Sequence, residues 1–183
     1  LGGTNNTTTG GGTGTGLNTI EVTGGALSAG TDASLGTGTV TLNGGKLIVT
    51  GNQTYDNNID LAGAGELQSL TNSESLQPRL SGIISGVGNL TTSGSGTITL
   101  SGNNTYTGTT TLNSVVGVDH ANGLGSDAAG TTVNDGASVV ILGVTIAEAL
   151  TITGTGRSGG GALASTGTSE VTGAVTLAGD APV

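Results

Sequence analysis

Ile59-Asp-Leu61-Ala-Gly63-Ala-Gly65-Glu-Leu67-Gln-Ser69 has a counterpart 91 to 96 residues later, in Leu150-Thr-Ile152-Thr-Gly154-Thr-Gly156 and Gly161-Ala-Leu163-Ala-Ser165. In both, an apolar residue stands at every second position and a glycine break follows, which is the signature of a short strand with one buried side. Neighbouring segments repeat in the same order. Asn43-Gly44-Gly-Lys-Leu47-Ile-Val49 is similar to Asp135-Gly136-Ala-Ser-Val139-Val-Ile141, and Leu80-Ser-Gly82 to Val171-Thr-Gly173. Ala33-Ser-Leu35-Gly36 with Val40 likewise matches Ala121 through Leu124-Gly125 with Val133. The offset drifts between 89 and 96 while the order holds, so a unit of about ninety residues is duplicated. Strand-turn units that repeat in order with no helix between them predict an all-β parallel β-helix, or β-solenoid.

Further alternating runs fit this plan: Leu17–Val22, Thr39–Leu42, Leu47–Thr50, Leu80–Ile84, Thr97–Leu100, Val139–Leu142 and Ala174–Leu177. At about 22 residues per coil the chain makes roughly eight coils, a rod of about 38 Å. The repeats divide it into a Gly/Thr/Asn-rich edge or partial coil over 1–16, a first unit over 17–107 and a second, incomplete unit over 108–183. Leu1 and Val183 read as cut out of repeats, so a fragment of a longer chain is expected.

Composition points the same way. Gly, Thr, Ser and Asn fill 102 of 183 positions, and the only aromatic residues are Tyr55 and Tyr106. Helix formers are scarce, whereas Gly and Asn suit corners and Thr suits the outward side of a pleated strand. The absence of cysteine excludes a disulfide framework and thiolate metal sites. With a net charge of −9 and only Lys46, Arg79 and Arg157 basic, no face gathers the cations that nucleic acid or an anionic membrane requires. No run of eighteen apolar residues exists to span a bilayer.

Residues 86–108 read GVGNLTTSGSGTITLSGNNTYTG. This stretch resembles the passenger-associated transport repeat of bacterial autotransporters and related giant surface adhesins, most closely in the LSGNNTYTG core. His120-Ala-Asn-Gly-Leu124-Gly125 and Gly173-Ala-Val-Thr-Leu177-Ala-Gly179-Asp180 also resemble recurrent pieces of those proteins, whereas Gly51-Asn-Gln-Thr-Tyr55-Asp lacks the second Asn and the Thr-Gly ending. The resemblance implies a right-handed stalk on the bacterial surface or outside the cell, used for secretion and spacing rather than chemistry.

Motifs that carry chemistry are weak in this sequence. Gly154-Thr-Gly156-Arg-Ser-Gly159 matches a dinucleotide fingerprint, but no helix follows to receive phosphate. Ser158 sits in a Gly-x-Ser-x-Gly pattern, yet the one histidine, His120, lies upstream of it. Asp119 beside His120 reads as a solvated turn. Asp and Asn at turns leave calcium open, although the repeat that binds it in calcium β-rolls is absent. Thr-x-Thr pairs such as Thr97/Thr99 and Thr151/Thr153 read as outward β formers, because their spacing along the chain is irregular.

The expected function is therefore a non-catalytic stalk of a surface adhesin, with no cofactor. Open alternatives are a filament subunit stacking end to end and, remotely, a polysaccharide-acting β-helix enzyme. End-to-end self-association, cell-surface glycans and other cells stand as partner classes. The residues singled out form a structural corner: Asn103, Asn104, Tyr106 and Gly108. Asn103 or Asn104 should bond backbone within the turn and stack on an equivalent in the next coil. Tyr106 should lie over that corner, its hydroxyl reaching water or a carbonyl.

Overall fold

The alternation in Val40-Thr-Leu42 and again in Lys46-Leu-Ile-Val49 sends one set of side chains inward and the other to solvent. Between the two strands lies Asn43-Gly44-Gly45, where Gly44 takes a left-handed φ of 84° that a side chain would strain. Repeated along the chain, such strand-corner units wind into a solenoid of about seven turns with almost no helix. The computed structural model describes residues 19–70 and 77–179, with the strand Asn6–Thr9 placed by its backbone alone. The rest of the edge expected over 1–16 lies outside the described residues.

Each full turn lays one strand on each of three faces. The first face carries Thr19–Val22, Val40–Leu42, Ile59–Leu61 and Ile84–Gly86 in parallel, with Asn6–Thr9 added antiparallel to Thr19–Val22. Among the described residues the second face has eight parallel strands, from Ala26–Ala29 to Val175–Leu177. The third has six, from Thr54–Tyr55 to Leu163–Thr166. Register is kept throughout. Leu27, Leu47, Leu67, Thr92, Leu112, Val133, Ile152 and Leu177 pair in succession on the second face, in steps of 20, 20, 25, 20, 21, 19 and 25 residues. Seven steps at about 4.8 Å give a column of about 34 Å. The inward columns of the three faces merge into a single apolar core.

Two features depart from the reading of the sequence. The run Leu80–Ile84 is not one strand: Arg79–Leu80 lies on the third face and Ile84–Gly86 on the first. Gly82 makes the corner between them, and a Cβ there would stand 2.1 Å from the Asn57 carbonyl oxygen. The duplicated segments also fall one face apart. Ile59–Leu61 is on the first face and Leu150–Ile152 on the second, while Gly65–Ser69 is on the second and Leu163–Thr166 on the third. An offset of 89 to 96 residues is thus about four turns plus one face. One strand with its corner is interchangeable among faces, because each face asks for the same alternation.

The first face is the irregular one. Past Ile84–Gly86, residues 104–106 continue it through backbone bonds from Thr105 N to Ile84 O (2.8 Å) and from Thr107 N to Gly86 O (3.0 Å). The turn at 120–127 then interrupts it. Thr145–Ile146 resumes the first-face position and pairs with Glu170–Val171 in a separate two-stranded sheet.

Candidate functional site

The bonds that continue the first face place Asn104 in the slot held one rung earlier by Ile84, and Tyr106 in the slot of Gly86. Both point inward. Asn104 is 2% exposed and ties three successive turns together: its Oδ1 accepts from Ile84 N at 2.8 Å, and its Nδ2 donates to Gly123 O at 2.7 Å. It therefore bonds the backbone of neighbouring turns rather than of its own. Asn103, on the surface, accepts at Oδ1 from Asn122 Nδ2 (2.8 Å), a rung of the expected asparagine ladder, and Asn134 donates to Asn113 in the same way at 2.7 Å. Gly108 does not adopt left-handed backbone. It is a glycine because a Cβ would come within 2.1 Å of Gly88 O, so the corner column needs a bare Cα.

Tyr106 lies inside the coil rather than over the corner, with no exposed surface. The slot one rung down is Gly86, and a Cβ on Gly125 in the next turn would meet the ring at 2.7 Å, so the ring occupies space left by glycines. Its hydroxyl lies 2.7 Å from Thr110 Oγ1, which in turn donates to Leu124 O at 3.3 Å. Thr110 spends its one proton on that carbonyl, so the tyrosine is the donor between them. Burial pushes the Tyr106 phenol well above its ordinary range. Tyr55 is the other aromatic in the core, its hydroxyl 2.9 Å from both Ala29 O and Thr50 O. The core thus holds both aromatic rings, each with its hydroxyl hydrogen-bonded.

Thr110 is in register with Thr131, and Thr131 Oγ1 donates to Glu148 Oε1 at 2.9 Å. Glu148 is 5% exposed, and among the described residues it is the only buried acid. Desolvation raises its pKa above the ordinary carboxyl value, the Thr131 bond opposes that, and the charge of Asp127 adds to the rise. Asn104, Tyr106, Thr110, Thr131 and Glu148 thus form a polar column where the first face is interrupted. Over it opens a cleft of about 310 Å³, lined in part by Asn104, Asn122, Ser126, Asp127 and Glu148. Ser126 Oγ is buried there without a hydrogen-bond partner.

Glu148 was legible in the sequence and not read. In Ile146-Ala-Glu148-Ala-Leu150-Thr-Ile152 the strict alternation assigns the glutamate to an inward slot, where a charge violates the pattern. The other residues weighed for chemistry are not brought together with it. His120 Nδ1 accepts from Asn122 N at 3.1 Å, and Asp119 is paired with Arg79. Ser158 stands on an exposed loop in left-handed backbone (φ 54°, ψ 25°), inside the short 3-10 turn Arg157–Gly159. That turn replaces the helix a nucleophile elbow requires. Among the described residues, no three His, Cys, Asp or Glu side chains are placed to hold a metal ion, and no helix is long and apolar enough to cross a membrane.

The threonines, irregular along the chain, are regular in space. Thr91, Thr111, Thr132, Thr151 and Thr176 occupy one outward column of the second face, rung after rung. Charge on the same column is confined to its start, where Lys46 Nζ meets Glu66 Oε1 at 2.7 Å. No protein-family model, curated protein or solved structure matches the chain.

Proposed function

We propose that the chain is a non-catalytic spacer, a stalk segment of an adhesin displayed on a bacterial surface or released outside the cell. The observation that carries this reading is the unbroken register of the second face from Leu27 to Leu177, which makes length in proportion to sequence. A solenoid of this kind gains about one rung of reach for every 19 to 25 residues, and each turn contacts mainly its neighbours. The outward side is short and hydroxylated, which suits exposure along the whole rod. The likeness of residues 86–108 to the transport repeat of autotransporters supports the same role and an extracellular setting.

A spacer holds its ends a fixed distance apart. Spin labels on outward positions of the second face, at Ser28 and Thr151, are six rungs apart and should report one narrow distance of about 29 Å plus linker length. A broad or concentration-dependent distance refutes the rigid spacer. Sedimentation as long regular fibres would instead favour the filament subunit.

A further inference from the structure

We propose that Glu148 is a proton-operated plug: with its carboxyl protonated it closes the interrupted first face over Tyr106 and Gly125, and on ionisation it admits water through the cleft and loosens the turn at 120–127. The geometry is that of a group placed for one protonation state. Glu148 occupies an inward slot between Ile146 and Leu150, and its backbone carbonyl is packed under Gly173 of the next turn, so its backbone cannot shift without unstacking that corner. An ionised carboxylate seeks several donors, and Thr131 supplies one bond, to Oε1. The charged and titratable neighbours offer no compensation. Asp127 on the turn repels it, the Tyr106 phenol two rungs below is neutral, and Glu170 on the paired strand is exposed on the outer side. No Lys, Arg or His lines the cleft. The buried, unbonded Ser126 Oγ in the same cleft marks where the packing is already incomplete.

The sign follows from linkage. Burial holds the folded-state pKa of Glu148 above its unfolded value, so the folded state binds the proton more tightly. The stabilisation is complete below the ordinary carboxyl value of about 4.3 and is lost as pH rises through the raised one. Because turns interact mainly with nearest neighbours, the loss is local to the turns that contain 104–131 and 145–152.

Hydrogen exchange on the purified chain, corrected for intrinsic rates, tests this at about pH 4 and about pH 8. Protection of 120–131 and 145–152 should fall about tenfold or more at the higher pH, while 40–67 stays unchanged. Glu148→Gln, which keeps shape and removes the charge, should hold its protection at both. A wild-type chain with no local loss, or the same loss in Glu148→Gln, overturns the plug. Should the variant fold poorly, a carboxyl carbon NMR titration of the wild-type chain decides alone: a Glu148 midpoint at or below about 4.3 overturns it.

Discussion

Removing the Tyr106 ring should damage the fold more than its one hydrogen bond can account for. The side chain is wholly buried, and the first-face slots on either side of it are Gly86 and Gly125. Neither glycine has a side chain to lean into a vacated ring, and the corner at Gly108 is held by carbonyl contact at the limit of approach. Truncation of a buried aromatic costs about 3–5 kcal/mol, and poor collapse places Tyr106→Ala toward the upper end. Tyr106→Phe keeps the ring and loses the bond to Thr110. Because Thr110 still donates to Leu124 O, that loss should stay near 0.5–1.5 kcal/mol. Urea denaturation of the three proteins, with hydrogen exchange to locate the damage, separates cavity from bond. The alanine variant should lose protection over 97–131 first, with residues 40–67 holding until global unfolding. Equal losses in the Ala and Phe variants would show that the hydroxyl network, not the ring, fills this slot. A loss below about 1 kcal/mol in the alanine variant would show that the ring is not in the core at all.

Three further substitutions test the corners and the core. Gly88→Ala puts a Cβ 1.8 Å from Gly63 O with all three nearest atoms backbone, whereas at Gly136 the same Cβ meets nothing and only the left-handed φ of 76° objects. Gly88→Ala should therefore cost about 3 kcal/mol or more and Gly136→Ala about 1–2, and thermal melts that rank them the other way refute the stacked-corner account. Leu100→Asp buries a carboxylate between Leu80 and Val118 in the third-face column, at a cost of about 3 kcal/mol or more, read as a lowered midpoint in urea; an unchanged midpoint refutes the inward column.

Much of the fold could be read from the residues because period-two alternation and glycine corners are local rules. Ile59–Leu61, Thr97–Leu100 and Leu150–Ile152 stand where their patterns place them. Which face each strand occupies was not legible. Alternation says in or out, and a corner says turn, but neither counts corners per coil, so copies offset by about ninety residues looked equivalent while lying one face apart. Tyr106 was misplaced for a related reason. Its neighbours Asn103, Asn104 and Gly108 read as a turn, yet Asn104 and Tyr106 obey the inward alternation of a strand whose donors go to the turn beneath. The asparagine is tolerated inside because it replaces a lateral bond at each end, to Ile84 N and Gly123 O.

That exchange also explains where the polar column sits. A solenoid face satisfies its backbone only through the rungs above and below, so interrupting one strand leaves donors and acceptors facing a dry interior. Where the turn at 120–127 interrupts the first face, the chain supplies side chains in place of the missing strand: Asn104 takes the backbone, and Thr110 reaches Leu124 O. Elsewhere the inward slots of that face are filled by Ile20, Val40, Ile59 and Ile84. Buried polar side chains also occur away from these turns, but in hydrogen-bonded pairs: on the second face Thr92 takes an inward slot and accepts from Ser114 Oγ at 2.9 Å. A solenoid built this way carries Glu148, the one buried acid among the described residues, at a defined height, and nearest-neighbour coupling limits how far a disturbance there spreads.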